Sequence, residues 1–177
     1  MNVKVTKDEL KKVLRSIQQL AAQQVLVGIP ATTTERKGTE PINNATIGYI
    51  QEAGSPANNL PARPFLVPGV QDALPGATEQ LKKGAQAALG GNMDGADKRV
   101  HDAGIVAQNA VRARINEGVP PPLAEATLEA RARRGRKGAQ EELDRRAEGK
   151  QAGVDLAKPL IDTGQLRNSI TYVIRKK

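Results

Sequence analysis

From Leu10 to Ala21 the apolar residues Leu10, Val13, Leu14, Ile17, Leu20 and Ala21 recur at three- and four-residue spacing. At about 100° per residue such spacing makes one stripe, so an amphipathic helix is predicted. Thr6-Lys7-Asp8-Glu9 precedes it as a capping box, with the Thr6 hydroxyl accepting from the Glu9 amide, and the helix is expected over 7–23. Val25-Leu26-Val27-Gly28-Ile29 then changes to a short apolar run closed by Pro30, the pattern of a buried strand. At the far end, Ile170, Tyr172 and Ile174 alternate with Thr171, Val173 and Arg175, which predicts a terminal strand over Ser169–Arg175.

Between these ends the pattern is mainly helical. Residues 31–42 are polar and without period; they are expected to be a loop, or the best source of a further strand. Asn44 is placed to cap a short helix from Ala45 to about Ala53, stopped by Gly54-Ser55-Pro56, and Pro56, Pro61 and Pro64 favour extended chain after it. A helix is expected after Pro68, interrupted at Pro75-Gly76 and resumed over Ala77–Leu89. The stretch Ala96–Asn116 predicts a long helix whose contact face, with Val100, Ala103, Ala107, Ala110 and Val111, is mostly small; it permits close approach but buries little area per residue. Another helix is expected from about Ala124. Residues 134–157 show no apolar stripe and are expected to be an inserted or mobile stretch. The resulting fold class is α+β: a small antiparallel sheet of Val25–Ile29 and Ser169–Arg175, packed by the two long helices at 7–23 and 96–116, with long polar loops. One domain is expected over 1–177, with a charged inserted segment at about 132–157.

Composition narrows the chemistry. One Phe, two Tyr and no Trp leave few large side chains for a core, which gives modest support to burial completed by neighbouring subunits. The formal charge of +8 makes an anionic partner worth weighing. The densest basic run, Arg131, Arg133, Arg134, Arg136 and Lys137, is followed at once by Glu141, Glu142 and Asp144; a solvated helix face or mobile tongue is the plainer reading, a nucleic-acid site the sharper one. Without Cys there are no disulfides or thiolate metal sites, and the single histidine, His101, removes multi-His metal centres. No apolar leader and no span of membrane length is present, so assembly in a cytoplasm, without a membrane, is expected.

Asp162-Thr163-Gly164, preceded by two apolar residues, is the local string around an aspartic-protease carboxylate. That chemistry needs two carboxylates sharing a proton inside a β-rich fold. Here only fifteen residues follow Asp162, and no second such string exists. The expected role is a structural turn: Asp162 or Thr163 caps a short helix around Gly164–Asn168, Gly164 permits the tight turn, and Leu166 points inward.

Four segments together carry a resemblance. "KPLIDTGQLRNSITYVIRK" (Lys158–Lys176) resembles the C-terminal signature of small neck and tail-completion proteins of tailed bacteriophages, of Mu-like and lambdoid minor tail component type. "LPARPFLVPGV" (Leu60–Val70) is similar to the Pro-Ala-Arg-Pro-Phe-Leu segment of that group, and "IGYIQEAGS" (Ile47–Ser55) to the segment before it. "PPLAEATLEAR" (Pro121–Arg131) resembles an element of the Mu-like members, whereas residues 132–157 are longer than the group's usual connection. The resemblance implies an α+β subunit of a ring, commonly a hexamer, in the head–tail neck of the virion, assembled in the host cytoplasm. Its implied partners are copies of itself, the connector and the tail-tube or tail-terminator proteins. DNA passes through its channel without sequence specificity, and no catalytic residue, cofactor or metal is implied.

Among individual residues, Arg63 and Phe65 stand in a proline-fixed loop as a candidate docking element, with Arg63 expected as an unpaired cation at a neighbour and Phe65 preferentially the anchor of its own loop. Arg131, Arg133 and Arg134 are the other interface candidates. Tyr49 is expected to pack, Arg112 and Arg114 either to face a DNA channel or, the plainer reading, to be solvated or paired with Asp102 and Glu117, and His101 to carry no chemistry. Two function classes follow: a structural protein of the head–tail junction, or a basic nucleic-acid-binding or packaging accessory protein using the Arg131–Lys137 run.

Overall fold

The structure, a computed structural model, describes residues 10–31 and 42–176. The Thr6–Glu9 capping box and nearly all of the 31–42 loop lie outside the described residues. In order, the elements are α1 (Leu10–Ala21), β1 (Gln23–Gly28), α2 (Asn44–Ala53), a 3-10 turn at Pro56–Asn58, α3 (Leu66–Leu89), α4 (Met93–Glu117), α5 (Glu125–Arg133), α6 (Lys137–Ala147), α7 (Gln165–Ser169) and β2 (Thr171–Lys176). The fold is α+β, with β1 and β2 forming a two-stranded antiparallel sheet packed against long helices, as the apolar run near one end and the alternation at the other predict; β1, expected to be buried, is half-buried, with Leu26 exposed.

By its internal contacts the chain divides into two compact units. The first holds the described residues up to Val27, with Ala73–Ala107 and the residues from Tyr172 on. On β2, Tyr172 and Ile174 are half-buried while Val173 is exposed, in keeping with the period of two. The Tyr172 ring lies where a side chain at Gly104 of α4 would stand, and its hydroxyl is 3.1 Å from His101 Nδ1. Close approach is general here, because the buried apolar residues of this unit, among the described residues, are Ala73, Ala88, Ala96, Val100, Ala103 and Ala107. Larger apolar groups are outside: Leu10, Leu14 and Ile17 of α1, Leu26 of β1, Leu74, Leu81 and Leu89 of α3, and Ile105 of α4 are all exposed. In α1 the buried residue is Ser16, whose hydroxyl donates to the Lys12 carbonyl at 3.0 Å.

The second unit holds Gly28–Asp72 and Gln108–Thr171. Its core contains the larger side chains: Phe65, Val111, Ile115, Leu128, Leu160, Leu166 and Ile170. Gly69 of α3 lies so near α4 that a Cβ there would come within 2.7 Å of the Val111 Cα. Only a residue without a side chain fits that approach.

Three expectations are corrected. The helix after Phe65 starts at Leu66 and runs unbroken to Leu89, with Pro75 inside it. Pro75 and Gln71 are both exposed, so water can satisfy the Gln71 carbonyl that the proline leaves without its helical donor. The cap of α2 is Asn43, whose side chain accepts from the Thr46 amide at 2.8 Å, while Asn44 is buried as the first helical residue. The stretch 134–157, expected to lack a packing face, contains α6, which folds back on α5. Its Ala139 joins Leu123, Leu128 and Ala157 in one buried cluster, with Ala132 and Leu143 packed against it. The face was illegible because alanine and one buried carboxylate form much of it.

That carboxylate is Glu142, fully buried. It accepts from Arg146 Nε at 2.9 Å and from the Gly153 amide at 2.9 Å, and it pairs with Arg145. Arg145 reaches on to Asp155 at 3.1 Å. The cluster therefore ties α6 to the chain that leaves it. Loss of hydration raises the Glu142 pKa, but the Gly153 amide, Arg146 and Arg145 lower it further, leaving it below the ordinary 4.5. A depressed folded-state pKa means that the stabilisation is complete above the unfolded value and is lost as pH falls through the folded one. Glu142→Gln is expected to destabilise the protein at pH 7 by about 3 kcal/mol, since two guanidinium groups lose a buried partner. It should also flatten the acid limb of a plot of Tm against pH below the ordinary carboxylate range. Thermal melts from pH 7 down to pH 3 check both; a variant with the wild-type Tm and the wild-type acid limb would show that the cluster contributes nothing.

Candidate functional site

The quoted segments meet in the second unit, and charged side chains join them. Helix α2 ends at Gly54, whose φ of 77° turns the chain out of the helix. Just before it, Glu52 points across to the start of α3. Its carboxylate accepts from the amides of Phe65 at 2.7 Å, Leu66 at 2.8 Å and Val67 at 3.0 Å. A helix start leaves such amides without intrahelical partners, and a carboxylate is the group its dipole favours there. The cap comes from thirteen residues back in the chain, so no local capping pattern could reveal it.

The prolines hold residues 61–64 extended, and this presents Arg63 and Phe65 on one side. Phe65 is 1% exposed and Arg63 is 5% exposed. Arg63 is therefore not the exposed, unpaired cation that the sequence suggests. Its Nε donates to the Pro121 carbonyl at 3.0 Å and its Nη2 to the Pro122 carbonyl at 3.3 Å. Burial lowers its pKa, but guanidinium stays charged across the accessible range.

Arg131, on α5, is also buried. It donates to the carbonyls of Lys158 at 2.9 Å, Pro159 at 2.9 Å and Ile161 at 2.8 Å, wrapping the turn that opens the C-terminal signature. Desolvation lowers its pKa and the Asp162 charge opposes that. Arg112 makes a third connection of this kind, from Nη2 to the Ile170 carbonyl at 2.7 Å, where the chain leaves α7 for β2. Arg114 is 3.8 Å from Asp72 rather than paired with Glu117.

The solvated-face reading of the basic run holds for Arg133, Arg134, Arg136 and Lys137, all exposed, and is corrected at Arg131; in place of a mobile tongue stand α5 and α6. Arg131 is interior, Arg134 and Arg136 both bind Asp162, at 2.8 and 3.0 Å, and Arg133 and Lys137 are exposed. Asp162 does not cap α7. Gly164 occupies the cap position with φ 78°, Thr163 offers the Gln165 amide a long contact of 3.5 Å, and Leu166 points inward as expected. Two guanidinium groups on one carboxylate are the reverse of a proton-sharing pair. Tyr49, expected to pack, is instead 74% exposed on α2.

Around this framework the openings are small or shallow. A cleft of about 140 Å³ beside Arg131, lined by Ile47, Gln51, Asp162 and Gly164, has room for a few waters, well short of the roughly 300 Å³ at which ligand pockets begin. In the first unit a shallow groove of about 420 Å³ runs between α1 and the start of α4, lined by Lys11, Lys12, Arg15, Ser16, Gln19 and Asp94. Among the described residues no three His, Cys, Asp or Glu side chains are grouped to hold a metal, and no helix is long and apolar enough to cross a membrane. Comparison with protein-family models, with curated proteins and with solved structures found no match.

Replacing Arg63 or Arg131 with Ala is expected to lower stability by about 3 kcal/mol each, because buried carbonyls lose charged donors. Lys should not restore either, since a single ammonium cannot reproduce the planar fork. Asp162→Asn removes only half-exposed pairs and should cost less than about 1 kcal/mol. Chemical denaturation of the five variants tests this order. Equal, small effects for Arg131→Ala and Asp162→Asn would remove the framework role.

Proposed function

We propose that this protein is a structural subunit of the head–tail junction of a tailed bacteriophage. It assembles as a ring that completes the tail and docks it to the head connector, around a channel through which DNA passes. One observation supports the reading above all: the four segments that resemble the tail-completion group bond to one another. Glu52 of the first holds the start of α3 in the second, Arg63 of the second holds Pro121 and Pro122 of the third, and Arg131 at the end of the third holds the Lys158–Ile161 turn of the fourth. Short strings scattered over a surface would resemble a family by chance more easily than strings that interlock as one framework. A subunit whose distinctive residues are structural leaves docking to its exposed positions, and Tyr49 is the aromatic side chain the described residues present most fully to solvent.

The alternative, a nucleic-acid-binding accessory protein, draws less support from the same geometry. Of the five cations in the Arg131–Lys137 run, one is buried and two are bound by Asp162, which leaves Arg133 and Lys137 for phosphate.

Tyr49→Ala should keep the Tm within a few degrees of wild type and lower the yield of joined particles, counted by electron microscopy, by at least about tenfold, in line with an aromatic interface anchor. Arg133→Ala with Lys137→Ala should leave joining unchanged. Normal joining with Tyr49→Ala, together with duplex DNA retarded by the wild type and released by the double variant, would replace the junction reading with the alternative.

A further inference from the structure

We infer that α1 is the contact helix for a second copy of this chain, and that the surface it meets is the acidic start of α5, at Glu125 and Glu129, on that copy. The inference rests on the ring reading for its setting, and its grounds are in the first unit. On α1, Leu14 and Ile17 lie within about 60° of each other on the helical wheel and are exposed. Lys11, Arg15 and Lys12 follow round the same helix, and α1 contains no acidic residue to neutralise them. They line the 420 Å³ groove, where Asp94 is the one acidic side chain. Among the described residues neither property is used inside the unit, where the buried apolar residues are alanines and one valine.

The complement is present on the same chain. At the start of α5, Glu125 and Glu129 stand one helical turn apart, both exposed and neither in an ion pair among the described residues; the exposed Arg133 follows one turn on, so the acidic surface is confined to the first two turns. A basic groove on one part of the chain and an acidic helix start on another make a head-to-tail contact, the type that closes rings. Leu14 and Ile17, 50% and 38% exposed, add apolar area on the same helix as the cations. Two other occupants fit less well. Duplex DNA rewards the cations but not exposed Leu and Ile beside them. A membrane-surface helix ordinarily carries aromatic anchors, and α1 has none.

Sedimentation velocity on the full chain is the test. Wild type should associate as its concentration rises, and Leu14→Glu should weaken association by at least about tenfold. Lys11→Glu with Lys12→Glu should weaken it to a similar extent, and adding Glu125→Lys and Glu129→Lys to that double variant should restore association to within about threefold of wild type. All substituted positions are exposed or at the groove rim, and circular dichroism checks that the variants stay folded. A wild type that remains monomeric to about 100 μM, association untouched by Leu14→Glu, or a fourfold variant no stronger than the double one would each overturn the inference. So would a monomer that binds anionic lipid vesicles, or retards duplex DNA, through Lys11 and Lys12. Sedimentation involves no phage parts, so the two readings fail separately. A chain that associates this way but leaves heads and tails unjoined keeps the contact and loses the junction. A monomer that still joins them does the reverse.

Discussion

A guanidinium group turned inward onto backbone carbonyls is the interaction on which the second unit depends. Arg63, Arg112 and Arg131 each do this, and each acts where the chain changes direction: at Pro121–Pro122, at the exit from α7, and at Lys158–Ile161. A turn carries carbonyls that no helix or strand satisfies, and burying them unpaired costs free energy comparable to a lost hydrogen bond. In a chain with one Phe and no Trp, large apolar groups are too few to cover such turns. A planar donor with five N–H groups covers several carbonyls at once, and its uncharged faces and stem pack like an apolar side chain. Glu52 does the opposite task, one anion for three amides at the start of α3.

The first unit is built differently. Alanines and glycines bring α3 and α4 close together, and Tyr172 takes the space above Gly104. Close approach gains dispersion contacts, but each alanine removes little apolar surface from water. A two-stranded sheet adds little by itself. The second unit thus covers the carbonyls of several turns with charged donors, whereas several larger apolar groups of the first unit are exposed.

How much of this was legible depends on whether the determinant is local. The strand at the C-terminus, the small-residue face of α4, the inward Leu166 and the positive-φ Gly164 follow from period and from the conformational freedom of glycine, both properties of a few consecutive residues. The aromatic-poor composition and the absence of cysteine were equally direct. Arg63, Arg131 and Glu142 were not legible in this way. A charged side chain is solvated unless partners enclose it, and the partners stand 58, 28 and 11 residues away at Pro121, Pro159 and Gly153. Nor could α1 be read fully: its stripe announces a helix, but which face is covered depends on the neighbours, and here Ser16 is inside while Leu14 is out. Local pattern therefore settled most of the elements, with α6 and the unbroken course of α3 as exceptions, since backbone preference and side-chain period act over one or two turns. Tertiary structure alone decided which charges are interior and which apolar faces stay open, because the desolvation of a cation and the covering of a stripe are properties of residues brought together from distant parts of the chain.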